Sequence, residues 1–205
     1  MNILEIFTNS ILLIITLDNE LWDIILLSLF VSFTALIIAS LLGFIVGYYF
    51  AIYNFYFKKI ILIIINSLMG IPPVVVGLIV YFIFASGGPL GILQLLYTPS
   101  AMIIAQTIII FPIIASLSHE IFSKNWFEFK DQIRSLNIPF WGSVKLLFNH
   151  SYFLLITTLL SAFGRAISEV GAVMIVGGNI DHYTRVMTTA TVSYTHLRAH
   201  ETSKH

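Results

Sequence analysis

The sequence contains no cysteine, which excludes disulfides and thiolate metal sites. It is also poor in charge. Asp, Glu, Lys and Arg make up 10% of 205 residues, against about 25% in an ordinary soluble domain. From Ile60 to Ser118 there is none of the four. The charges balance at a formal net of zero, so no electrostatic footprint argues for nucleic acid. The first residues lack a basic n-region and carry Glu5, so no cleaved signal peptide is expected. No Walker A sequence, metal-ligand constellation or nucleophile–base arrangement occurs. ATP hydrolysis, if the function needs it, has to come from another chain.

What remains is apolar. Hydrophobic residues make up 58% and the mean hydropathy is +0.95. A helix crosses a bilayer with about 20 apolar residues, whereas barrel strands need only about 10. The runs here are of helical length. Lipid admits only helices or closed barrels because every backbone polar group needs an internal partner. The reading is an all-α integral membrane protein, a polytopic helix bundle with about four spans.

Those spans are expected near 21–50, 60–84, 98–117 and 151–176. Residues 1–17 are a weakly amphipathic opening, short for a span. Gly43 and Gly47 form a GxxxG pair that allows close helix contact, more simply within this chain than between copies. Tyr48, Tyr49, Tyr53 and Tyr56 form an interfacial belt before Lys58 and Lys59. The glycine-rich 86–91, SGGPLG, reads as a hairpin between spans. It lacks the Lys-Ser/Thr of a phosphate-cradling loop. Pro72-Pro73 and Pro112 fall inside spans two and three and are expected to kink them, either beside a pathway or as simple bundle curvature. Span four is rich in small residues and carries Arg165 and Glu169 four apart. Charges within lipid face a bundle interior or water. They are read either as a pathway pair or as a mutually neutralising structural pair.

One polar stretch, 119–150, interrupts the apolar chain. It is expected to be a water-facing loop whose inner part, 126–136, forms a short helix. Asn137 suits a left-handed cap and Pro139 a stop just beyond it. Such a helix either docks a soluble partner or lies on the bilayer surface. Lys58, Lys59, Lys124, Lys130, Arg134 and Lys145 fall on one side of the predicted spans. Glu5, Asp18, Glu20 and Asp23 fall on the other. The positive-inside rule then puts 119–150 in the cytoplasm and the N-terminus outside.

The end, 192–205, is polar and holds three of the six histidines. A metal site at His196, His200 and His205 is tempting. However, 192–202, VSYTHLRAHET, resembles the conceptual translation of a transposon-end library adapter at all eleven positions. The expectation is a native frame over 1–191, a non-native tail, and at least one further span missing.

Three blocks carry a resemblance: NSLMGIPPVVVGLIVY at 66–81; SGGPLG at 86–91 with LYTPSAMIIAQ at 96–106; and GRAISEVGAVMIVGGNI at 164–180 with TRVMTTA at 184–190. Together they resemble the membrane subunit of type I ABC importers, in the molybdate/tungstate/sulfate permease family and its tungstate group. The resemblance implies a permease that is not itself an enzyme and holds no cofactor. ATP and Mg would sit in separate cytoplasmic ATPase subunits. It further implies an extracytoplasmic oxyanion-binding protein and a second permease copy. Tungstate is the implied cargo, with molybdate or sulfate, or an ATP-independent channel or carrier, as alternatives. The family's coupling motif, E-A-A-x3-G, is degenerate here at 131–137, with Asp131 for Glu and Asn137 for Gly. The expected coupling residues are Glu128, Lys130, Asp131, Gln132, Arg134, Leu136, Asn137 and Pro139. The expected pathway residues are Ser161, Gly164, Arg165, Ser168, Glu169 and Gly171.

Overall fold

The computed structural model describes residues 19–193. The expected opening segment at 1–17 and most of the expected tail lie outside the described residues. Helix α1 is Asn19–Ile52, α2 Lys58–Leu68 and α3 Pro73–Phe84. A short 3-10 turn, Gly91–Leu93, leads to α4, Pro99–Ser135; α5 is Phe140–Ile167 and α6 Gly171–Gly177. A last helical stretch covers 187–193. Among the described residues three helices, Leu21–Ile52, Pro99–Ser135 and Phe140–Ile167, are long and apolar enough to cross a membrane. Counting α2 and α3 together as one broken span makes four.

The longest seam joins α1 to α4. Its α1 face holds the fully buried Ala35 and Ala39, then Gly43 and Gly47. A Cβ on Gly43 would come within 2.8 Å of Ile114 Cγ2, and one on Gly47 would collide with Ser118 Oγ. The GxxxG pair therefore serves packing within the chain. The opposite face of α1 leaves Leu26, Phe30, Leu41 and Ile45 exposed, an outward-facing apolar surface suited to lipid.

Three expected boundaries change. Span two is not one kinked helix. The axes of α2 and α3 differ by 102°, and Pro72 is extended at φ −59°, ψ 128°. The cause is the tandem: Pro73 forces its predecessor out of the helical region, and two successive prolines withhold two backbone donors. Pro112, standing alone, leaves α4 continuous.

Span three does not stop near residue 117, because nothing between Ser118 and Ser135 breaks a helix. The first half of the polar stretch is thus the end of α4, and the second half opens α5. Together they make a helical hairpin rather than a loop with a separate short helix. At its tip Asn137 is left-handed at φ 46°. Its N–H donates to Arg134 O at 3.1 Å and the Ile138 N–H to Ile133 O at 3.0 Å, the double bond of a Schellman cap. Span four, finally, ends at Ile167 and resumes as α6 after a three-residue break.

Candidate functional site

The first helix break, Pro112 and the last turn before the second break border a single cavity. Residues 69–72 interrupt the second span, residues 168–170 interrupt the fourth, and Pro112 lies more than half-way along the apolar part of α4. Beside the first break and Pro112 is a cavity of about 270 Å³. Leu68, Met69 and Ile71 line it from the first break, Thr107, Ile108 and Pro112 from α4, Leu42 from α1, and Arg165 from the last turn of α5. Among the described residues Arg165 is the only charged group in this lining. Pro112 supplies no N–H to the Ile108 carbonyl one turn earlier. Broken backbone is tolerated at membrane depth where it is buried in protein or borders a cavity.

The half-helices beyond the breaks, α3 and α6, cross in close contact. A Cβ on Gly77 would come within 2.7 Å of Ala172 Cα, and one on Gly171 within 2.6 Å of Val74 Cγ2. The break ahead of α6 is held by polar groups. Glu169 is only 6% exposed, and its Oε1 accepts from the Ala172 N–H at 3.4 Å. Its Oε2 lies 3.7 Å from Arg165 Nη2. That is a long ion pair, and the Arg165 side chain stays 40% exposed. Thr188 Oγ1 donates to the Glu169 carbonyl at 2.9 Å. From α4, Gln106 Nε2 donates to the Ala166 carbonyl at 3.1 Å. Sequence reasoning missed Gln106, whose signal is a lone amide inside the apolar run IIAQTIII. It likewise missed Asn66, which accepts from Ser116 Oγ on α4.

Of the six expected pathway residues, only Arg165 lines this cavity. Glu169 supports it from behind, and Gly171 packs against Val74. Ser161, Gly164 and Ser168 are exposed along α5, and nothing lies within 4 Å of a Cβ placed on Gly164. Ser161 opens instead onto a second, more polar cavity of about 540 Å³ between α4 and α5.

The expected coupling residues gather at the hairpin tip. Glu128, Asp131, Gln132, Arg134, Leu136, Asn137 and Pro139 are exposed. Lys130 is half-buried, its Nζ 4.7 Å above the Phe127 ring. Beside these charges stands an apolar cap, with Leu136 72% and Trp141 77% exposed and Phe127 and Phe140 also open. Of these, Phe140 and Trp141 stand edge to face at 5.4 Å.

These features define a class: a multi-pass helical membrane protein, with two broken spans, an open cavity beside one of the breaks and a polar hairpin extending from two of its spans. Sequence relatives narrow it. The chain is 40% identical over 188 residues to the tungstate uptake system permease protein TupB of Peptoclostridium acidaminophilum, covering 92% of this chain and 82% of that one. It is 38% identical over 168 residues to a probable anion ABC transporter permease protein of Haloferax volcanii, covering 80% and 72%. TupB of Campylobacter jejuni is 39% identical over 139 residues, covering 67% and 58%. No family model matches the chain. The chain belongs to the family of ABC transporter permease proteins.

Proposed function

We propose that this chain is the membrane-spanning subunit of an ATP-driven tungstate importer. The observation that carries the reading is the first of those relatives, a named tungstate uptake permease 40% identical across most of both chains. ATP hydrolysis then belongs to separate cytoplasmic ATPase subunits. They engage the hairpin at 119–150 through Glu128, Asp131, Arg134, Leu136 and Asn137. An extracytoplasmic oxyanion-binding protein delivers the cargo, and a second copy of the chain completes the pore. The N-terminus is outside and the hairpin inside, in keeping with the basic residues grouped on the hairpin side.

Arg165 supports the reading chemically. A guanidinium in a largely apolar cavity attracts a tetrahedral dianion. Its partner Glu169 is distant and already engaged with the Ala172 N–H, so Arg165 can exchange partners as cargo passes. One cation, rather than several, suits a conduit that the ion must leave. The breaks at 69–72 and 168–170 are the natural hinges when the hairpin moves. ATP can drive the cycle only insofar as the ATPases prefer one state of the hairpin to the other.

The test is uptake of tungstate by the full complex in vesicles, with molybdate and sulfate as competitors. ATP-dependent accumulation in which tungstate outcompetes both is expected. Preference for molybdate or sulfate would reassign the cargo within the class. Movement by this chain alone, without nucleotide, would overturn the importer reading.

A further inference from the structure

The second cavity opens at Ser161, one helical turn before Arg165, towards the hairpin end of α4 and α5. It runs from Ser161, Thr158 and Thr157 on α5 to Glu120, Lys124 and Glu128 on α4. Its walls are poor in free donors. Thr157 Oγ1 donates to Phe153 O at 3.0 Å, Thr158 Oγ1 to Leu154 O at 3.0 Å, and Ser161 Oγ to Thr157 O at 2.9 Å. Asn125 Nδ2 donates to Ser151 Oγ. The three lining hydroxyls, of Thr157, Thr158 and Ser161, thus give their protons to helix carbonyls. An anion is held by donors, and these three hydroxyls offer it none, which leaves the Lys124 ammonium as the charged donor of the lining.

The charges are arranged in the same sense. Glu120, Lys124 and Glu128 are spaced one helical turn apart on α4. Among the described residues the ion pairs are Arg165–Glu169 and Arg185–Asp181. Lys124 therefore stands between two carboxylates without closing a pair with either. His150 borders the cavity from α5, its ring edge-on to Phe129 at 4.7 Å. One free ammonium attracts a dianion; two carboxylates repel it.

We infer that this cavity is a low-retention exit chamber for the oxyanion, in which Lys124 draws the ion in and Glu120 limits its stay and its return from the cytoplasm. The inference rests on the importer reading and names the residues that set its direction. Glu120 is the diagnostic carboxylate, since Glu128 also belongs to the expected docking surface.

The experiment uses the assembled transporter in vesicles and measures how tungstate on the ATPase side slows ATP-driven transport. Glu120→Gln is expected to lower the half-inhibiting concentration about fivefold, and Lys124→Gln to raise it about fivefold, as for one charge acting on a dianion about a turn away through a watery medium. Both shifts should shrink at high ionic strength, and the double variant should return towards wild type. Both residues are exposed, so glutamine should fold at either site, and co-elution with the ATPase checks assembly. Shifts in the same direction, or none, in a complex that imports tungstate would overturn the chamber alone. Loss of co-elution in both variants would make the cavity a subunit contact and overturn it too. A wild-type complex that moves no tungstate would remove the importer reading beneath it.

Discussion

The seam between α1 and α4 and the crossing of α3 with α6 solve the same problem in opposite ways. Both bring backbones together through small residues, Gly43 and Gly47 in the first and Gly77 with Ala172 in the second. The seam is two continuous helices whose hydrogen bonds close internally, and its buried residues are mostly apolar or small. The crossing joins half-helices that start at breaks, and breaks expose backbone groups that need partners. The buried polar side chains Glu169 and Gln106 gather there, one on the Ala172 N–H and the other on the Ala166 carbonyl. On the proposed function, the seam is the frame and the crossing the part that moves. Rigidity and polarity are segregated because lipid leaves unwound backbone nowhere else to go.

The sharpest way to break that contrast is charge reversal at Arg165. Arg165→Glu would put two carboxylates at one break and repel a dianion. Tungstate uptake should fall on the order of a hundredfold, since reversal changes the local charge by two, while co-elution with the ATPase persists. Arg165→Lys keeps the charge and should retain part of the activity. Normal uptake in Arg165→Glu would remove the guanidinium from the route.

On the seam the effect should be on folding. Gly47→Leu forces a side chain into Ser118 Oγ and the His119 backbone, an overpacking worth about 1–3 kcal/mol. Gly164→Leu is the control. It meets open space and should stay within about 0.5 kcal/mol, as exposed substitutions do. Thermal unfolding in detergent should separate the two. Equal loss would mean that the face around Gly164 is covered in the assembly.

A smaller effect is expected at Gln106. Gln106→Leu removes one bond to the Ala166 carbonyl, which also accepts from the Ser168 and Glu169 N–H groups. The loss should be about 1 kcal/mol, near the net worth of a single hydrogen bond. If the break is a hinge, uptake should suffer more than stability does. A drop in melting temperature with unchanged uptake would make Gln106 purely structural.

How much of this was legible depends on whether the signal was local. The apolar runs, the GxxxG pair and the Asn137 cap are local, and each is read from neighbours within a turn or two. The tandem proline was visible, but its effect was underestimated: one proline bends a helix, whereas two in succession leave an extended residue between half-helices. The second break has no proline or run of glycines at 168–170. There the Glu169 carboxylate accepts from the Ala172 N–H, a bond across the break that sequence alone, reading SEVG as more helix, does not show. The extra length of α4 is hidden in the sequence because a run of charge suggests a loop, although charged residues continue a helix well. The cavity was out of reach altogether, since Leu42, Met69, Pro112 and Arg165 meet only when four elements pack.

The hairpin tip gives the finest test, because it asks whether the polar end of the molecule is shaped as firmly as the seam. Asn137 is left-handed, and there Asn is tolerated and glycine is at ease. A β-branched residue in that conformation costs about 1–3 kcal/mol unless the backbone relaxes. Asn137→Val should therefore loosen the cap bonds to Arg134 and Ile133 and speed amide exchange in 133–138. Asn137→Gly should keep both bonds and match wild type. The cost should stay local, because Pro139 still precedes α5 and the body of α4 is held by Phe122 and Ile133. If the hairpin docks the ATPase, a loosened tip should also weaken co-elution in Val but not in Gly. Weakening in both would mean that the Asn137 side chain itself makes the contact, rather than the shape it imposes on the turn.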